Sequence, residues 1–257
     1  MRQRFNLRFF FLLLFFASSV IFLTPFLHSS QSDPRTALMI GRFQPLHNGH
    51  LREIELMFHE NDTVIVGVGS SQLTERSKRN PLLPAERCKM LSVVTEKLKP
   101  TYTGKEIFLV PLADIDSEDT FKENPDNDRW ITHVLNEIKK NKRPAPTDYY
   151  TGSKEDAFFY CSYFADPEKP DETITATQTC DGGNVSSFTN KETGRQLHII
   201  NRYDGENISA TKVRAAIAKD FIDPKNPTFG LWKQFVPEEL HLLVEEYSEL
   251  AKDVLTE

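Results

Sequence analysis

Positive charge is in deficit. Lysine and arginine number 31 against 37 aspartates and glutamates, for a formal net charge of −6 at pH 7. That balance argues against a nucleic-acid-binding surface, which is normally basic. Basic runs such as Lys139, Lys140, Lys142 and Arg143 read as a solvated helix end. Cysteine is also scarce. The three residues Cys88, Cys161 and Cys180 show no C-x-x-C spacing, which removes the common zinc frameworks. In an exported protein Cys161 and Cys180 can pair across a loop; otherwise all three are thiols. No internal repeat is visible.

The chain has 257 residues, enough for one or two domains with a core of good size. Its N-terminus stands apart. Met1 to Arg8 carries Arg2, Arg4 and Arg8 without an acid, and Phe9 to Leu27 is almost wholly apolar. A positive segment before an apolar one is the pattern of a secretory signal. The apolar stretch is also near the lower length limit for a membrane span. Residues 1–35 are therefore expected to be a signal peptide or a membrane anchor with its linker. The arginines precede the stretch, so the positive-inside rule keeps the N-terminus in the cytoplasm and puts the rest beyond the membrane. The expected localisation is membrane-anchored or exported, with a cytoplasmic facing left open.

From residue 36 onward, strand and helix patterns alternate. Ala37 to Ile40, Thr63 to Val68, Ile107 to Leu112, Tyr149 to Gly152 and Leu197 to Ile200 read as strands. Between them, Leu51, Ile54 and Phe58 recur at helical spacing, and Pro84 opens a helix with Met90, Leu91, Val94 and Leu98 on one face. Trp130 to Lys140 is a helix with Ile131, Val134, Leu135 and Ile138 inward. Glu155 to Phe164, Ser209 to Ala218 and the tail from Glu238 to Leu255 are further helices. This alternation predicts an α/β protein, a doubly wound parallel sheet with helices on both faces. Residues 166–195 break the rhythm. They are polar, and Asp181-Gly182-Gly183 between Thr-rich flanks predicts an inserted hairpin or a loop.

Two short motifs carry the chemistry. Residues 41–50 read GRFQPLHNGH and residues 208–214 read ISATKVR. Both leave strands, and ligands of parallel sheets bind outside the carboxyl ends of strands. His47 and His50, three apart, would share one face of a first helical turn. Free N–H groups and the helix dipole favour an anion there. Two imidazoles in that position can donate hydrogen bonds to a phosphate that gains charge in a transition state. Gly49 lets a ligand or the first strand approach closely, and Pro45 stiffens the turn. Without a carboxylate partner the histidine pair is weak as a zinc site. In the second motif Ser209 is a good N-cap. Thr211 adds a hydroxyl in the first turn and Arg214 projects from the second, a set suited to pyrophosphate oxygens. Taken singly, each motif is also what an ordinary surface helix would show.

Taken together, they resemble something specific. H-x-G-H with I-S-x-T-x-x-R is similar to the signature pair of the HxGH nucleotidyltransferase superfamily. GRFQPLHNGH resembles nicotinamide-nucleotide adenylyltransferases of the archaeal type. The likeness extends to Gly69-Ser70-Ser71-Gln72, Arg79-Asn80-Pro81, Glu86-Arg87, Leu112-Ala113-Asp114-Ile115, Trp130 with His133-Val134, and Tyr150-Thr151-Gly152. It covers roughly Ala37 to Tyr247, interrupted by the polar insertion.

The resemblance implies a Rossmann-like domain over residues 36–257 that transfers an adenylyl group from ATP to nicotinamide mononucleotide, giving NAD and pyrophosphate. It implies that His47, His50, Arg42 and Arg214 are the catalytic groups on the ATP phosphates. Gly41, Phe43, Gly49, Arg79, Ser209 and Thr211 would bind ATP. Trp130 would stack on the nicotinamide ring, and Asp114 would accept from its carboxamide. Mg2+ would arrive with ATP, held mostly by substrate and water, so no protein metal site is expected. The attacking phosphate is already an anion and needs no general base. Assembly into a homo-oligomer is expected, with membrane contact only through the N-terminal segment. Two further readings remain: a related transferase with another phosphate acceptor, and a tethered nucleotide-binding module without turnover. Asn61, Asn184 and Asn207 begin glycosylation sequons. A glycan on Asn207 would sit at the mouth of the proposed site.

Overall fold

Short apolar and aromatic runs build the centre of the sheet, with β-branched residues concentrated in Thr63–Val68. The computed structural model describes residues 33–115, 125–152, 175–178, 184–189, 193–200 and 208–257, within a unit spanning Pro34–Glu257. Five parallel strands form its frame: β1 (Thr36–Gly41), β2 (Thr63–Val68), β3 (Glu106–Pro111), β4 (Asp148–Thr151) and β7 (Gln196–Ile200). The order across the sheet is β3-β2-β1-β4-β7-β6-β5, where β5 is Thr175–Gln178 and β6 is Asn184–Thr189. The chain steps outward from β1 through β2 to β3, then resumes on the other side at β4. The order therefore reverses between β1 and β4, the switch point at which such sheets open a crevice.

Strand periodicity sorts the core into two layers. Ala37, Met39, Val64, Val66 and Tyr150 point to one face and Leu38, Ile65, Val110, Tyr149 and Leu197 to the other. The first face is covered by α1 (Asn48–Glu60), α2 (Pro84–Leu98), α4 (Ala210–Ile222) and the C-terminal helices α5 (His241–Leu250) and α6 (Lys252–Thr256). The second is covered by α3 (Pro125–Lys140) through Ile131, Val134 and Ile138. In α2 the expected face of Met90, Leu91, Val94 and Leu98 is buried. Each such side chain contributes about 1.5–3 kcal/mol of burial. Pro84 stands at the first position of α2, and the Glu86 carboxylate accepts from the Leu83 amide at 2.7 Å to close its N-terminus.

Several expectations change. The 166–195 segment does contain an antiparallel pair, β5 with β6. That pair does not hang free: β6 lies antiparallel on β7 and extends the sheet. The expected single tail helix is two, broken at Ala251 with φ −106° and ψ 7°. The helix after Ser209 runs on to Ile222. The helix expected over 155–164, Cys161, Cys180 and the leader of residues 1–32 lie outside the described residues. Among the described residues, no helix is long and apolar enough to cross a membrane.

At the N-terminal end of β4, Asp148 anchors a buried polar network. Its carboxylate pairs with Arg35, accepts from the Thr147 hydroxyl at 2.6 Å, and lies 3.2 Å from His198 Nε2. Burial pushes the Asp148 carboxyl up, but hydrogen bonds from His198, Arg35 and Thr147 outweigh it and hold the group below its ordinary value.

Candidate functional site

The carboxyl ends of β1, β2, β3 and β4 open into one cleft of about 730 Å³. Its wall includes Gly41, Arg42, Phe43, His47 and His50 from the first motif, and Ser209, Thr211 and Arg214 from the second. Arg79, Asp114 and Trp130 complete the set. Of the expected site residues, Gly49 alone is not part of the wall. A side chain there would lie 3.1 Å from the His47 imidazole. Within the protein, the close approach at Gly49 is therefore made by His47, not by the first strand.

The histidines take different stations than equal places in a first turn. His47 is the N-cap of α1, with extended backbone at φ −138° and ψ 170°, and His50 is the third residue inside. Their rings stack at 3.7 Å, and the Phe43 ring meets His50 edge-on at 4.9 Å. His50 Nδ1 accepts from the His47 backbone N–H at 3.3 Å. With Nδ1 accepting, the ring proton of a neutral His50 belongs on Nε2.

The second motif adds cationic donors. Ser209 caps α4 by accepting from the Lys212 amide at 3.3 Å. Arg214 donates through Nη2 to the Thr211 hydroxyl at 3.2 Å and through Nη1 to the Gln44 carbonyl at 2.8 Å. One guanidinium thus ties two motifs 170 residues apart. Burial first, and then Arg42, lower the Arg214 pKa. Two like charges on one wall are a standing electrostatic cost that a polyanion in the cleft would relieve.

The far wall is organised around Asp114. Its carboxylate accepts from the Ser70 hydroxyl at 3.1 Å and from the Gln72 side-chain amide at 3.0 Å, and its backbone N–H donates back to Gln72 Oε1 at 3.0 Å. His133 Nε2 lies 3.2 Å from the Ala113 carbonyl and steadies the same turn from α3. Among the described residues no three His, Cys, Asp or Glu side chains converge as a cation site.

Sequence reasoning missed three residues that hold the walls. Gln44, 2 % exposed, pairs with the Leu82 backbone in both directions, donating to its carbonyl at 2.9 Å and accepting from its amide at 2.8 Å. Gln72 fixes Asp114. Arg87, fully buried, donates to the carbonyls of Arg42, Gly69 and Ser70 at 2.9, 2.6 and 3.0 Å. Gln44 and Gln72 lie in loops, where inward or outward direction leaves no periodic trace, whereas Arg87 falls on the buried face of α2 with Met90, Leu91 and Val94, a spacing that could have found it. Asn61, one of the sequon asparagines, is 1 % exposed and donates to the Met57 carbonyl and the Tyr150 hydroxyl, so the folded domain offers no acceptor there.

A parallel sheet with its order reversed beside β1, and two helix starts and converging arginines at that point, defines a Rossmann-like α/β protein whose cleft suits a polyanionic ligand. The sequence model of the cytidylyltransferase-like family matches residues 38–216. The chain belongs to that family. It is 36 % identical over 106 residues to a nicotinamide-nucleotide adenylyltransferase of Thermococcus kodakarensis, covering 41 % of this chain and 50 % of that one. A nicotinamide-nucleotide adenylyltransferase of Thermococcus sibiricus is 48 % identical over 79 residues, 30 % of this chain and 40 % of that one. The matches thus span half the length of these relatives or less. In fold, the chain resembles the bifunctional NMN adenylyltransferase/ADP ribose pyrophosphatase of Francisella tularensis, with a TM-score of 0.51 at 19 % identity over 87 % of this chain and 52 % of that one.

Proposed function

We propose that this protein joins ATP to nicotinamide mononucleotide, forming NAD and releasing pyrophosphate. The observation that carries the reading is the convergence in one cleft of the His47–His50 pair, the Arg214–Thr211 helix start, and the Asp114–Trp130 wall. The adenylyltransferase relatives support it. A 5′-phosphate oxygen of the mononucleotide attacks the α-phosphorus of ATP. The bond from that phosphorus to the bridging oxygen breaks, and pyrophosphate leaves with the electron pair. No proton has to be removed, so the protein's task is positioning and charge stabilisation. His50 donates from Nε2 and His47 beside it to the phosphates, while Arg42, Arg79 and Arg214 clamp them. Gly41, Phe43, Ser209 and Thr211 line the ATP side. Trp130 stacks on the nicotinamide ring, and Asp114, kept in place by Ser70 and Gln72, accepts from the carboxamide. A carboxylate at that place repels the acid form of the mononucleotide, which favours nicotinamide over nicotinate.

The residues present fit a cation brought by the nucleotide better than a resident one, because among the described residues no three His, Cys, Asp or Glu side chains converge. Mg2+ bound with ATP supplies charge neutralisation on the phosphate oxygens. The domain spans residues 36–257 with the 166–195 insertion at the sheet edge, acts as a homo-oligomer, and follows a leader that anchors or exports it. Incubation of the purified protein with ATP, Mg2+ and nicotinamide mononucleotide, with chromatographic detection of NAD, tests the activity. Cell fractionation with protease accessibility tests the leader. Sedimentation in solution tests the oligomer.

A further inference from the structure

We propose that Arg87 is a positioning residue for this transfer, on which reading the inference rests: its buried guanidinium turns the Phe43 and Ser70 backbone amides toward the cleft as donors to phosphate oxygens. Arg87 is 0 % exposed, and its Nη atoms go to three main-chain carbonyls. Those carbonyls belong to two separate turns. One follows β1 and carries Arg42; the other follows β2 and carries Gly69 and Ser70. In a planar trans peptide the carbonyl and the next residue's N–H point opposite ways. The Ser70–Ser71 unit displays this, with the Ser70 carbonyl on Arg87 at 3.0 Å and the Ser71 N–H on the Leu112 carbonyl at 2.9 Å. By the same geometry the Arg42 and Gly69 carbonyls, drawn to Arg87, send the Phe43 and Ser70 amides away from it. Both residues line the cleft, and no hydrogen bond among the described residues uses either amide.

A second observation concerns the backbone itself. Phe43 and Ser70 both have left-handed φ, 50° and 52°. Residues with a Cβ seldom adopt that conformation unless the surroundings impose it. Arg87 grips the peptide entering each of the two. An arginine can span both turns because its planar fork presents several donors at once, which a lysine's single ammonium cannot do. Its charge also lies directly behind the phosphate-facing turns. Burial lowers its pKa, yet a guanidinium stays protonated.

The test compares full-length wild type with Arg87→Lys in titrations of non-hydrolysable α,β-methylene ATP and of adenosine. The variant is expected to lose about tenfold or more in affinity for the triphosphate, because the amides lose their aim and a carbonyl its donor. Adenosine, with no phosphate to meet those amides, keeps its affinity. Equal losses for both ligands, or no loss for either, overturn the positioning role while leaving the functional reading intact. A wild type that binds no triphosphate overturns the functional reading and this inference with it. If Arg87→Lys does not fold, the wild type suffices. Inorganic pyrophosphate titrated into the 15N-labelled protein should shift the Phe43 and Ser70 amide resonances. Fixed Phe43 and Ser70 resonances while other cleft residues respond overturn the assignment.

Discussion

Gln44 offers the sharpest stability test, because its side chain copies a strand ladder with one residue. It is 2 % exposed and meets the Leu82 carbonyl at 2.9 Å and the Leu82 amide at 2.8 Å. Gln44→Leu keeps the approximate volume and removes both partners. Two buried main-chain groups then go unpaired at about 1–3 kcal/mol each, and the apolar replacement offsets part of that. The expected loss is about 3 kcal/mol, or about 6–12 °C in Tm for a chain of this size. Thermal and denaturant unfolding followed by circular dichroism measure it. Gln44→Glu sharpens the reasoning. Its carboxylate still accepts from the Leu82 amide but cannot donate to the Leu82 carbonyl until it takes a proton. Its folded pKa is therefore raised above the unfolded value. The folded state binds the extra proton, so this variant gains stability relative to Gln44→Leu as pH falls from 7 toward 5. A loss below about 1 kcal/mol in Gln44→Leu would refute the reasoning, since even one stranded buried group costs that much. Parallel pH profiles for the two variants would refute it too.

Other consequences are equally direct. His50→Ala should lower kcat by about 100-fold or more, as loss of one aimed donor does; steady-state rates of NAD formation read it, and unchanged turnover removes the role. Asp148 has a depressed folded pKa, so its stabilisation is full above the unfolded value near 4 and is lost as pH falls through the folded value. Asp148→Asn should cost about 1–2 kcal/mol at pH 7, because Arg35 is partly exposed and solvent screening discounts the lost pair. It should also flatten the acid limb of a Tm-against-pH curve, and an acid limb as steep as in the wild type contradicts that. Asp114→Asn should raise kcat/KM for nicotinate relative to nicotinamide mononucleotide by about tenfold through loss of like-charge repulsion. Chelation with EDTA should stop turnover, and added Mg2+ should restore it.

Much of the architecture was readable before the structure. Thr63–Val68 declared itself a strand to the residue because five of its six positions are buried and only Val, Ile, Gly and Thr fill them. The α2 face was readable because Pro84 and a helical apolar spacing agree. Both motifs announced a phosphate-seeking site because helix starts after strands have limited uses. What stayed hidden is what depends on distant partners. Arg214 reaches Gln44 across 170 residues, and nothing in either segment names the other. Arg87 belongs to the Glu86-Arg87 likeness, but its three carbonyl partners lie in distant turns that its own segment does not name. The β5–β6 pair was visible as a local hairpin, but its antiparallel docking on β7 depends on an edge the sequence does not display. The break at Ala251 is likewise set by how α5 and α6 meet the core, since alanine is the strongest of helix formers.

The central claim is that the cleft between β1 and β4 couples ATP to nicotinamide mononucleotide. The most direct measurement incubates the purified protein with Mg2+, ATP and the mononucleotide and quantifies NAD and pyrophosphate together. The account predicts both products in equal amounts, each formed more slowly by about 100-fold or more in the His50→Ala protein. Pyrophosphate without NAD, or tight ATP binding with no product at all, would contradict it.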